Sequence, residues 1–425
     1  MPPSKPVWFT SRVTDGSTAP GSAVPASTAP RRGTPGASVG AGALLQLLRD
    51  GTPRTRSELS ALTGLARSTV TGRIDALLAA GLIAPTGETA STGGRPPATF
   101  AFNPAARIVL GADLGATHAR LAVTDLAGNV LAVTTADLDI AQGPKAVLDW
   151  TVEHGLALLT EVDRPASDLL GIGIGLPGPV EHDTGRAVNP PIMPGWDGFD
   201  VPAYVRERIP VPVMVDNDVN IMALGEHFTA WPEYEHLLFI KAATGIGCGI
   251  IAAGQVYRGA QGAAGDMGHI RVAGADDVHC RCGNTGCLEA VASGAAIARN
   301  LTAQGVDAGG SLDVVELARS GSVPALRLVR QAGRDIGEVL AGAVNFFNPS
   351  IIVIGGSLAL AGDHLIAGVR EVIYQRSLPL ATRHLRIAAA RTGESSGAIG
   401  AGVMVIEHAL DPARLDASTE IKTNG

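Results

Sequence analysis

Gly265-Asp266-Met267-Gly268-His269, followed by His279-Cys280-Arg281-Cys282-Gly283-Asn284-Thr285-Gly286-Cys287-Leu288-Glu289, is the most informative stretch of this 425-residue chain. The chain has four cysteines; Cys248 stands alone and the other three crowd into this loop. Three thiols in so short a span read more readily as metal ligands than as disulfides. Cys280, Cys282 and Cys287 form C-x-C-x4-C, and His269 completes a tetrahedral set of three thiolates and one imidazole. Such a set leaves no open coordination position, so the ion expected is a structural Zn2+. Gly283 and Gly286 permit the tight loop it requires. His279 competes for the fourth place, but its adjacency to Cys280 makes simultaneous chelation awkward. The alternative is a group of buried free thiols.

On either side of this loop the apolar pattern alternates between strands and helices. Ile108 to Asp113, Ala119 to Thr124 and Val130 to Thr135 read as three successive strands. A helix is expected over Pro144 to Thr160, then strands over Leu169 to Leu176 and Val211 to Val215, and a helix from Asp218. Two strands flank Gly245, and Ile351 to Ile354 form another. The result is a mixed α/β body of two lobes. Asp113-Leu114-Gly115-Ala116-Thr117 turns between strands in the first half, and Lys241 to Gly249, with Thr244, Gly245 and Gly247, does so in the second. Backbone N–H groups presented by such turns can cradle phosphate, although Gly-rich hairpins are structural by default. Between them, Asn217-Asp218 follows an apolar strand. A carboxylate there can take a proton from a hydroxyl, or simply cap a helix. Gly355-Gly356 either admits an adenosine or ends a strand.

Toward the N-terminus the character changes. Residues 1–40 are rich in Pro, Ser, Thr and Gly, without periodicity, and are expected to be a disordered tail. Residues 41–103 read as helix, helix, Gly-containing turn, helix, strand and Gly/Pro-rich loop, the plan of a winged helix-turn-helix. Ala43 to Leu48 supply the first helix. Thr55 with Glu58 three residues on marks a capping box for the second, and the third runs from Ser68 to Ala80. Arg67, Ser68, Thr69, Thr71 and Arg73 lie at the start of the third helix, where a recognition helix meets operator DNA. Arg95, within Gly93 to Pro97, sits on the wing. A small helical bundle without a DNA role is the alternative. The overall charge is −7, yet residues 1–110 hold eleven Lys/Arg against five Asp/Glu, which leaves +6 there and −13 elsewhere. A basic head on an acidic body fits a DNA-reading module. The body is assigned to 104–411 and a flexible tail to 412–425. No apolar run reaches bilayer-spanning length and no secretory signal opens the chain, so a cytoplasmic protein without a membrane partner is expected.

With those residues in view, Gly268-His269 followed by Cys280-x-Cys282-Gly283-Asn284-x-Gly286-Cys287-Leu288-Glu289 resembles the signature of the ROK family (repressors, open reading frames and sugar kinases). The resemblance covers roughly residues 41 to 410. It implies a two-lobed actin/hexokinase-like, ribonuclease H-like ATPase fold behind the winged head, the paired glycine turns being its phosphate loops. It further implies that Asn217, Asp218, Asp266, His269 and Glu289 contact a sugar, with Asp218 the catalytic base in kinase members. Asp113, Gly115, Thr117, Thr244, Gly245 and Gly247 would surround ATP phosphates and Mg2+ if kinase activity were retained. Three departures weaken a kinase: Asp266 where kinases carry Glu, Ala116 where phosphate should approach, and His118 in place of a permanent cation. The expectation is therefore a sugar-responsive repressor, a homodimer or homotetramer, taking a sugar or sugar-phosphate effector. An ATP-dependent hexose kinase, possibly with both roles, is the alternative.

Overall fold

A computed structural model describes residues 40–88 and 98–423. Its head is built from α1 (Ala41–Leu48), β1 (Arg54–Thr55), α2 (Arg56–Thr63), α3 (Arg67–Ala79), β2 (Ile83–Glu88) and β3 (Ala98–Phe102), with β3 central in an antiparallel three-stranded sheet. This element order is the one expected of a winged helix-turn-helix, and its local signals act as expected. Glu58 N–H donates to Thr55 Oγ1 at 3.2 Å, and Thr55 N–H donates to the Glu58 carboxylate at 2.7 Å, closing the capping box. Gly64 ends α2 at φ +71°, a left-handed conformation that costs glycine little, and the chain swings into α3. The wing residues Gly93 to Pro97, Arg95 among them, and the N-terminal stretch 1–39 lie outside the described residues.

The body repeats one plan twice. In the first lobe β4 (Ile108–Leu114), β5 (Ala119–Asp125) and β6 (Val130–Ala136) form an antiparallel meander, followed by α4 (Pro144–Glu161) and β7 (Leu169–Leu176). A small hairpin of β8 (Val180–Glu181) and β9 (Arg186–Ala187) precedes α5 (Val201–Arg206), β10 (Val213–Asn217) and α6 (Asp218–Ala230). β7 runs parallel to β4 and β10 parallel to β7, giving the order β10-β7-β4-β5-β6. β4 and β7 are buried almost throughout, which is why they read as unbroken apolar runs. β10 begins at Val213, two residues later than its apolar pattern suggests, because Pro212 has no N–H to give a ladder.

The second lobe has β11 (Leu237–Ala242), β12 (Ile246–Ala252) and β13 (Gln255–Val256), then the helices α7 (Leu288–Ala292), α8 (Gly294–Ala303), α9 (Ser311–Arg319) and α10 (Val323–Phe347). β14 (Ile351–Gly355), α11 (Asp363–Arg376), α12 (Pro379–Thr382) and β15 (Arg386–Ala389) complete it, with strand order β13-β12-β11-β14-β15. Each sheet thus adds two parallel strands beside the first strand of its meander. This duplicated layout is the two-lobed fold that the paired turns implied. Among the described residues no helix is long and apolar enough to cross a membrane.

α13 (Ser396–Ala409) ties these parts together. It lies against the first sheet and crosses α6 so closely that a Cβ on Gly400 would sit 1.7 Å from the Ile221 carbonyl oxygen. Its far end joins the head. Leu44, Leu45 and Leu48 of α1 share one apolar cluster with Val405, Ile406, Leu410 and Leu415, and Arg49 forms an ion pair with Glu407. The residues expected to be a flexible tail instead form α14 (Pro412–Thr423). Leu415 is buried in that cluster, and Asp416 Oδ1 accepts the Gly42 N–H at 2.9 Å, so packing on α1 orders the segment. Head and body therefore meet through a shared core. Because Gly400 has no room for a side chain, Gly400→Ala is expected to cost about 1–3 kcal/mol. An unchanged urea-unfolding midpoint would contradict this packing.

Candidate metal and ligand site

The loop after β13 folds back on itself. Cys280 N–H donates to Asn284 O at 2.8 Å, Gly286 N–H to Val278 O at 2.8 Å, and Val272 N–H to Gly286 O at 2.8 Å. These bonds bring the side chains of His269, Cys280, Cys282 and Cys287 together, and one donor atom from each lies within 4.8 Å of all the others. His269 Nδ1 is 3.6 Å from Cys280 Sγ, and Cys282 Sγ is 3.6 Å from Cys287 Sγ. Three sulfurs and a nitrogen so placed suit a soft ion in tetrahedral coordination. His279 takes no part. It is exposed, with Nδ1 3.3 Å from Asp277 O. The backbone N–H of Asn284 draws the Cys282 thiol down to about 7, whereas burial pushes Cys287 up to about 12. A bound cation is what would keep the buried sulfur ionised.

The cage also positions residues outside it. His269 ends a one-turn 3-10 helix, Met267–His269, and turns Nε2 away from the cysteines, 4.0 Å from Asp266 Oδ1. Cys287 is the N-cap of α7, so Glu289 falls in the first turn, where its Oε2 accepts the Ile246 N–H at 3.1 Å beside the second glycine turn. Across the cleft, Asn217 caps α6. Its Oδ1 accepts the Val219 N–H at 2.9 Å and its Nδ2 donates to Gly178 O at 3.0 Å. Asp218 is buried and receives a hydrogen bond from Lys241 Nζ at 2.6 Å. Burial disfavours the Lys241 ammonium, but Asp218, Asp113 and Glu289 outweigh it and raise its pKa above the ordinary lysine value. Asp113 is buried as well, and burial raises its pKa.

The first glycine turn is closed by its own side chain. Gly115 N–H donates to His118 O at 2.8 Å, and a Cβ on Gly115 would lie 2.1 Å from the His118 ring. Thr117 and Thr244 are exposed on their turns. Gly245 faces the Glu289 carboxylate, Gly247 faces Val219, Gly355 packs on the Phe239 ring and Gly356 on the Ala242 backbone. Sequence reasoning missed the buried cluster beneath Asn217. Arg258 Nε donates to Asp216 Oδ2 at 2.6 Å, Asn220 Nδ2 donates to Asp216 Oδ1 at 2.9 Å, and His182 stands 3.6 Å away. The cluster ties the loop bearing Asp266 to the end of β10. The only signal for it was one more acid in Asp216-Asn217-Asp218.

On the head, Arg67, Ser68 and Thr69 are exposed at the start of α3, while Thr71 and Arg73 are half-buried. Arg73 Nη1 is buried with no hydrogen-bond partner. Arg49, Arg54 and Arg56 pair with Glu407, Asp50 and Asp75; two of these acids belong to the head itself, so only the Arg49–Glu407 pair draws on its net positive charge.

From the cage geometry, purified protein is expected to carry one tightly bound soft metal ion per chain. Elemental analysis tests this, with Cys287→Ser expected to lose the ion and melt at a lower temperature. A metal-free wild-type chain as stable as the loaded one would contradict the assignment.

Comparison with known proteins agrees with the fold. The chain is 29% identical over 381 residues to the xylose repressor of Caldicellulosiruptor bescii, an alignment spanning 86% of this chain and 95% of that protein. It is 34% identical over 318 residues to a glucokinase of Halalkalibacterium halodurans, spanning 70% of this chain and 95% of the other. The crystal structure of a ROK family transcriptional regulator, a homologue of the Escherichia coli MLC protein, superposes with a TM-score of 0.78 at 27% identity, covering 89% of this chain and 98% of that one. The ROK family pattern matches residues 109–408, most of the chain, and with these geometric and sequence likenesses it establishes that this chain belongs to the ROK family.

Proposed function

We propose that this chain is a cytoplasmic, sugar-responsive transcriptional repressor of carbohydrate genes. In this reading a dimer reads operator DNA through the winged heads, and a sugar or sugar phosphate in the body changes that affinity. The repressor relative aligns over 86% of the chain, head included, whereas the glucokinase relative aligns over 70%. The ion in the cage is Zn2+, which orders the loop and leaves catalysis and ligand binding to protein side chains. Asp218, Glu289, Asp266, His269 and the remaining N–H of Asn217 are the sugar contacts.

The observation that carries the reading is the path from cleft to head. α6 starts at Asp218 and crosses α13 at Gly225 and Gly400. The first turn of α13 abuts Asp113, and its last turn holds the head through Glu407 and Ile406. A sugar that draws the lobes together acts on α6, and the crossing passes the displacement to α13. The energy available equals the difference between the sugar's affinities for the two arrangements, typically about 1–3 kcal/mol.

Arg67, Ser68 and Thr69 present the exposed face of α3 to the major groove, and Arg95, outside the described residues, is proposed as a further DNA contact. Thr71 and Arg73, half-buried, contribute less. Selection of binding sites from random duplex DNA, followed by fluorescence anisotropy, tests the proposal. Arg67→Ala is expected to weaken binding and to reduce the salt slope by roughly one. A saturating hexose or pentose is expected to shift the wild-type affinity by about fivefold or more. Failure of the full-length chain to select any sequence would refute the repressor reading.

A further inference from the structure

The least expected feature of the cleft is its own cation. Lys241 is the next-to-last residue of β11, one strand position before the second glycine turn, and its side chain is mostly buried. Its ammonium donates to Asp218 Oδ2 at 2.6 Å and interacts electrostatically with Asp113 and Glu289. The carboxyls of Asp113 and Asp218 in turn sense one another as well as Lys241. Asp218 and the Lys241 ammonium form a largely buried ion pair and Asp113 is buried as well, and carboxylates in such surroundings keep their charge only with a positive charge beside them. In phosphoryl transfer that charge is divalent metal, and a free carboxylate must also accept the proton of the attacking hydroxyl.

We infer that Lys241 serves as a built-in counterion in place of a divalent metal, so that the chain holds a sugar through Asp218 without phosphorylating it. The ammonium occupies one oxygen of Asp218 and leaves Oδ1 for a ligand hydroxyl. With Oδ2 held by the ammonium at 2.6 Å, taking a hydroxyl proton onto Asp218 would break up a largely buried ion pair. Nearby features point the same way. His118 is folded over Gly115 in the first glycine turn, so a side chain covers backbone that would have to approach phosphate. Lys241 is thus a specificity-determining residue that directs the cleft toward recognition and away from turnover. The inference concerns the cleft alone and stands or falls independently of DNA binding.

The test uses full-length, zinc-saturated protein and Mn2+, which reports on divalent sites through loss of the electron paramagnetic resonance signal of the free ion. Wild type is expected to bind no Mn2+ in the cleft and to release no ADP from ATP with any member of a hexose panel. Lys241→Met is expected to gain one Mn2+ site at least tenfold tighter than any in wild type, and Lys241→Met with Asp113→Asn to lose it. Sugar binding to wild type should be the same with and without Mg2+. Equal Mn2+ binding by wild type and Lys241→Met, sugar-dependent ADP release by wild type, or a Mg2+ requirement for sugar binding would each overturn the inference. If Lys241→Met does not fold, wild type and Asp113→Asn decide the matter. A wild-type Mn2+ site abolished by Asp113→Asn refutes the built-in counterion, and no such site with no turnover supports it.

Discussion

One imidazole carries two obligations in this protein. His269 Nδ1 lies in the cage, 3.6 Å from Cys280 Sγ, while Nε2 lies 4.0 Å from Asp266 Oδ1. The two nitrogens of a histidine are fixed relative to one another, so whatever orients one orients the other. The same cage sets Glu289, because Cys287 begins the helix that carries it. A bound ion therefore has leverage over two cleft residues although it touches only one of them. This economy matters because the loop holding the cage has little regular structure. A few backbone hydrogen bonds and isolated bridges shape it, and a bound ion would supply the remaining order.

The opposite wall of the cleft is held by different means. The buried Asp216 and Asn220 form a polar cluster with the half-buried Arg258 and His182, and Asn217 and Asp218 open α6. α6 and α13 touch through glycines without intervening side chains, so the backbones of the two helices are in direct contact. Close-packed elements of this kind shift as units instead of yielding locally. The head does not hang from a linker. Its first helix is buried against α13 and α14, and this continuity joins α6 and α13 mechanically to the head.

What could be read in advance depended on how local the physics was. The C-x-C-x4-C spacing with His269 announced the cage, since coordination chemistry restricts which residues can cluster. Thr55 with Glu58 and the glycine at position 64 announced the second and third helices for reasons confined to a few neighbouring residues. Lys241 was hidden because nothing in an apolar strand says which distant carboxylate its one charged residue will meet. The same holds for Arg258 with Asp216, which are brought together only by the fold. α14 was misjudged as a tail because its sequence is polar; what orders it is Leu415 and Asp416 meeting α1, a contact between the two ends of the described chain. The charge count of the head does not say where its charges lie, and three of its arginines are held in ion pairs, one of them with Glu407 of the body.

In the proposed function the metal cage shapes the sugar pocket through His269. Its most direct test is calorimetric titration of one cognate sugar into zinc-loaded protein, into protein stripped by a chelator, and into stripped protein resupplied with zinc. Sugar affinity should fall by at least tenfold on stripping and return on resupply, in line with the cost of losing an orienting metal–histidine contact. Equal affinity in all three preparations would show that the pocket is formed without the cage and would contradict the account.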